Sequence, residues 1–219
     1  GLDRFSRFFI APLFKTSHVE KELFAVEQEF LKNLENDGWR VYQISKEIGN
    51  ANHPHSLFST GNAATLGQIP PAAIKNWYEE HYSANQMRLI VYSNQPLDKL
   101  IELTVQNFQD VPNRRLTRLT LNEKLFSADQ KGHLVYVKPF QDIQTLHIEW
   151  ELPQKFIQDP NKTAELTAYA LNAAHDHSLL EKLKAQNLAY DLQADVENFG
   201  TLNALFVIDI DLTMEGAKN

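Results

Sequence analysis

Glu22 and Glu29 stand seven residues apart in the run KELFAVEQEFLKN, residues 21–33. On an α-helix that spacing brings two side chains within about 20° of one another and roughly 10.5 Å apart along the axis. The two carboxylates therefore share a face, beside Val26 and at the border of the apolar stripe Leu23, Phe30 and Leu34. A carboxylate at such a border is expected to be half-buried, and a cation or hydrogen-bond donors would offset its desolvation. Oxygen ligation of a metal is the chemistry this permits. The plainer alternative is a pair of boundary acids that reach water or pair with Lys21 and Lys32. Glu27 falls on another part of the wheel.

Other groupings carry less. His177 and Glu181 lie at i, i+4 in HDHSLLE, a geometry able to bind a metal, but no third strong ligand is local. His175, Asp176 and Ser178 are too close in sequence to converge as a hydrolase triad with an oxyanion hole. His53 and His55 flank Pro54, as expected for a turn whose imidazoles bond locally. The lone glycine of FSTGN makes a turn rather than a phosphate loop. Trp77, Tyr78 and Tyr82 are expected in a core rather than as a stacking platform.

The elements that must position these residues follow from periodicity. A first helix presents Leu2, Phe5, Phe8 and Phe9 on one face and stops at Pro12. SHVE, with Ser17 and Glu20, reads as a capping box opening a second helix that the pattern carries to about residue 47, where Gly49 and Asn50 can end it. Residues 53–71 form a long ordered loop, followed by a helix over 71–82, a strand MRLIVYS and a helix over 96–108. HLVYVKP, IQTLHIEWELP, LAYDLQADV and NALFVIDIDLT read as strands, with helices in NKTAELTAYALNAAH and SLLEKLKAQN. Helices and strands mix throughout, so the class is α+β, helices packed over sheets. The charged, aperiodic stretch around 112–131 divides the chain into 1–115, a linker at 116–131, and 132–219.

A formal net charge of -7 and a sequence pI near 5.6 argue against nucleic acid or an anionic membrane surface as partner, because both would be repelled. No apolar run approaches the ~20 residues of a membrane span. The absence of cysteine removes disulfides, thiolate zinc sites and cysteine nucleophiles, and leaves the compartment, periplasm or cytoplasm, open. The chain starts without Met and already inside a helical pattern, as a fragment would.

Four blocks in register, GLDRFSRFF with PLF, EKELFAVEQEFLKN, DGWRVYQISKEIGNANHPHSLFSTGN and HYSANQM, together with LTMEGAKN near the end, resemble the pitrilysin and insulysin family of zinc endopeptidases, the inverzincins. The resemblance implies two insulinase-type metallohydrolase-like units, the first incomplete: the end of a catalytic-type domain and the start of a second, peptidase-like one. In that family the third zinc ligand is a helix glutamate with a supporting acid seven residues before it. The resemblance thus assigns Glu29 to the metal and Glu22 to supporting it, with Zn2+ as cofactor and peptides as substrates. It also implies that an extended peptide's amino-terminal end is held on a strand edge near Leu192, Gln193 and Ala194. The sequence departs from the family at AAHDHS, where relatives have a glycine-rich turn.

The family's H-x-x-E-H motif is missing from the 219 residues, and its nearest likeness, NWYEEHY, has Trp77 in place of the first histidine. Two readings remain. One is a piece of a zinc endopeptidase, inactive by itself and completed by the remaining half of the parent enzyme. The other is a non-catalytic relative that binds peptides or serves as a partner subunit.

Overall fold

A computed structural model describes residues 1–118, 120–200 and 203–218. In chain order the helices are α1 (Leu2–Ile10), α2 (Thr16–Asn33), α3 (Asp37–Ile48), α4 (Ala63–Leu66), α5 (Pro71–His81), α6 (Leu97–Phe108), α7 (Thr163–Asn172) and α8 (Leu179–Ala185). The strands are β1 (Thr145–Glu151), β2 (Ala189–Phe199) and β3 (Asn203–Leu212). The α+β class stands. None of these helices is long and apolar enough to cross a membrane.

The chain forms two compact units, Gly1–Leu31 with Thr60–Leu119, and Lys32–Ser59 with Thr120–Asn219. The second cut falls inside the expected linker, in which Leu119 lies outside the described residues. The first falls within α2, and residues 32–59 group with Thr120–Asn219. The chain breaks after α2, where Asn36 caps α3 by accepting the Trp39 N–H at 3.0 Å. The expected single helix to about residue 47 is therefore two. An Asn-Asp-Gly sequence offers a cap and a flexible joint that outweigh the continuing apolar period.

In the first unit α1 packs through aromatic rings. Phe5 meets Phe9 at 5.2 Å and Phe108 of α6 at 6.1 Å, both edge-on. The Tyr78 hydroxyl donates to the Phe9 carbonyl at 2.7 Å, and Tyr78 is buried as expected, while Trp77 and Tyr82 stay substantially exposed. The Lys15 carbonyl accepts from both His18 and Val19, so α2 opens one residue before Ser17 and the SHVE capping box does not form.

The second unit is built on an antiparallel sheet ordered β1-β3-β2. Its register aligns His147 with Asp209 and Asp209 with Gln193. Leu205 and Val207 on one face join Leu125 in the core, backed by Phe126 and Phe199. Leu192 and Ala194 are buried on the opposite face, and α7, whose Ala164 and Ala168 are buried, packs on β2. Full burial of a leucine contributes roughly 1.5–3 kcal/mol, so Leu205 and Leu125, each 1% exposed, are the sites where truncation costs most.

MRLIVYS and HLVYVKP, expected as strands, have no ladder partner among the described residues. Ile90, Tyr92, Leu134 and Tyr136 are accordingly exposed. Propensity alone cannot make a strand, because the backbone bonds need a neighbour.

Candidate functional site

Both glutamates of the opening motif lie on α2, and both are exposed rather than half-buried. The half-buried acid of this helix is Glu27, about 160° round the wheel from Glu29. Its Oε2 accepts the Ala63 N–H, just inside the loop that Asn62 closes. Asn62 caps α4 reciprocally with Thr65. Gly61 sits at φ 80°, where a Cβ would also come within 2.5 Å of Leu66, so FSTGN is the turn its residues suggested.

Glu22 borders an apolar cleft of about 670 Å³ between α1, α2, α4 and α5. Its walls include Phe8, Leu23, Val26 and Ile74, with Arg4 and Arg7 at the same cleft. Glu29 is not among its lining residues.

Fit to zinc is decided by the donor set. No group of three or more His, Asp or Glu side chains among the described residues is arranged to hold a metal. Glu29 supplies one oxygen, whereas a catalytic zinc takes three protein ligands and leaves one position for water. The described residues do not by themselves complete such a set. His177 and Glu181 do not fill the gap: His177 takes φ 78°, outside helical geometry, and Ser178 caps α8 by accepting the Glu181 N–H. In the pseudo-motif, Trp77 stacks on His81 at 4.2 Å and its carbonyl sits 2.7 Å from His81 Nδ1.

The strand expected to hold peptide is an edge strand among the described residues, where β2 pairs with β3 alone. Leu152 and Leu212 of the chain donate to Ala204 and Gln144, which sets the even residues of β3 towards β1. The odd residues then bond β2, and the backbone groups of Leu192, Ala194, Val196 and Asn198 point to the free edge. At Ala194 that edge is taken: Asn172 Nδ2 donates to the Ala194 carbonyl at 2.8 Å and Asn172 Oδ1 accepts the Ala194 N–H at 2.6 Å. Leu192 and Ala194 are buried, whereas Gln193 is exposed and points to the other face.

A charge cluster in the second unit escaped the sequence reading. Between β1 and β3, His147 Nδ1 lies 2.6 Å from Asp209 Oδ1 and His147 Nε2 lies 2.8 Å from Glu149 Oε1. Bonds first to Asp209 and then to Glu149 push the imidazole up to about 10, so both ring nitrogens donate. Burial alone would raise the Glu149 carboxyl, but the bonds from His147 and from Ser45 of α3, at 2.7 Å, hold it below its usual value. The i, i+2 spacing of His147 and Glu149 places them on one strand face, yet only the register supplies Asp209. His53 behaves as a turn histidine: Nδ1 accepts the His55 N–H, which leaves Nε2 to donate to Asn203 Oδ1 at 3.1 Å.

The family described as "Peptidase M16 inactive domain" matches residues 68–218, a span that excludes Glu22 and Glu29. The chain is 34% identical over 223 residues to the A-factor-processing enzyme of Saccharomyces cerevisiae, covering 99% of this chain and 22% of that protein. It is 31% identical to the human insulin-degrading enzyme, covering 99% of this chain and 22% of the relative. The solved structure of pitrilysin superposes with a TM-score of 0.88 at 30% identity, over 98% of this chain and 24% of that one. The chain thus spans about a quarter or less of these relatives. Helix order, sheet and sequence agree, and the chain belongs to the insulinase and pitrilysin family of M16 peptidases.

Proposed function

We propose that these residues are part of a zinc-dependent endopeptidase, in which Glu29 is one zinc ligand and Glu22 supports the site. The observation that carries this is the placement of the pair: two exposed carboxylates seven residues apart on one side of α2, in a chain similar to proteases along its whole length. Bound zinc would polarise a scissile carbonyl and lower the pKa of a bound water. Glu29 contributes an anionic oxygen that reaches into solvent and is free to face donors brought by another segment. Glu22 lies on the same side, at the border of an apolar cleft, and in this reading holds a ligand's orientation. Extended peptides are the substrate class, with an edge of β2 as the holding strand. Residues 1–219 alone, with one ligand, neither retain zinc tightly nor hydrolyse peptides.

The test is zinc content of the purified full-length protein by elemental analysis, with turnover of a fluorogenic peptide before and after chelation. Stoichiometric zinc lost in Glu29→Gln supports the proposal, and full zinc and activity in that variant overturn it. The second reading, a non-catalytic peptide-binding or partner subunit, draws on the match to a family domain described as inactive. It requires that the full-length protein lack H-x-x-E-H and hold no zinc.

A further inference from the structure

A strand at a sheet edge offers unpaired N–H and C=O groups, and proteins commonly cover them. In the second unit the cover at the middle of β2 is a side chain. Ala164, Ala168 and Asn172 recur every four residues and so share one face of α7, the two alanines buried beside β2. Asn172, the last residue of the helix, reaches the strand's outer edge and meets both backbone groups of Ala194. A primary amide presents one donor and one acceptor side by side, the pattern that a neighbouring strand would present to a residue at this position. Ala194 is left 3% exposed, while Asn172 itself faces solvent.

We infer that Asn172 is a built-in competitor for peptide at the β2 edge, a specificity-determining residue that an incoming strand must displace before it can pair with Ala194. The inference rests on the reading of β2 as a peptide-holding strand. It moves the open part of that edge from Leu192–Ala194 to Asn198 and the Val196 carbonyl, which point the same way on less buried residues, the Val196 N–H being held by Asp195 Oδ1 at 2.7 Å. It also gives the departure around AAHDHS a consequence, since Asn172 directly precedes it.

The experiment compares the full-length protein with Asn172→Ala and Asn172→Asp. Hydrogen exchange is read by mass spectrometry over residues 189–199. Binding of a fluorescein-labelled decapeptide of alternating Thr and Val, carrying a photo-crosslinker, is measured with chelator present to prevent turnover. In Asn172→Ala the Ala194 amide is expected to exchange at least about tenfold faster, and the peptide to bind about tenfold more tightly with its crosslink on β2, which corresponds to about 1.4 kcal/mol. Asn172→Asp keeps the acceptor and loses the donor, so it should fall between the two, and it serves if the alanine variant fails to fold. Unchanged exchange at Ala194 overturns the inference directly. Faster exchange without any crosslink on β2 in any variant overturns it through the failure of the peptide-holding reading. Equal peptide affinity in all three proteins, with crosslinks on β2, overturns the competition while leaving that reading intact.

Discussion

The Glu27 carboxylate accepts the amide N–H of Ala63, thirty-six residues further along the chain, and so ties the FSTGN turn to the helix that carries Glu22 and Glu29. Of the four acids of α2, Glu27 faces inward and holds a loop, while Glu20, Glu22 and Glu29 are exposed.

This division predicts opposite phenotypes. Glu27→Ala removes a charged acceptor from a backbone donor and should cost about 1–2 kcal/mol. That lowers Tm by a few degrees, on the order of 2–4 °C per kcal/mol for a chain of this size. Glu29→Gln should leave Tm of residues 1–219 unchanged. Paired thermal melts check both, and an unchanged melt in Glu27→Ala would remove its structural role.

In the full-length protein the order reverses for metal. Glu29→Gln should abolish zinc retention, and Glu22→Gln should weaken it about 10–100-fold, the usual consequence of losing a group that orients a ligand. Competition with a zinc chelator measures this. Equal zinc affinity in wild type and Glu29→Gln would exclude Glu29 as a ligand.

His147 gives a pH dependence with a definite sign. Its ordinary value is 6.5 and its folded value about 10, so the folded state holds this proton more tightly than the unfolded chain. The stabilisation is complete below pH 6.5 and is lost as pH rises through about 10. Urea midpoints of wild type minus His147→Gln should therefore shrink steadily across that window. A constant difference would contradict the bridge from Asp209 through His147 to Glu149.

Asp37 acts at the acid end. Its buried carboxylate accepts the N–H of Gln141 and of Phe140, at 2.9 and 2.8 Å, and these bonds, Gln141 first, hold it below the ordinary 3.8. The anchoring is present above pH 3.8 and is lost as pH falls below it. Amide exchange at residues 140 and 141 should accelerate there, and Asp37→Asn should show that acceleration at neutral pH.

The sequence alone determined what depends on neighbours a few residues away. Apolar periodicity marked α1, α6, α7 and α8, alternation marked β1, β2 and β3, and a seven-residue spacing placed Glu22 and Glu29 on one side of α2. Where two local signals competed, the weaker-looking one prevailed, as when the Asn36 cap split one expected helix into two. Tertiary structure decided everything that needs a partner from far along the chain. MRLIVYS has strand chemistry but no described neighbour to pair with, Glu27 meets Ala63, Asp209 meets His147 through register, and Asn172 reaches Ala194 around the end of a helix. The physical reason is common to all four. A hydrogen bond is satisfied by whichever group the folded chain delivers, and one sequence read residue by residue carries periodicity without carrying distance.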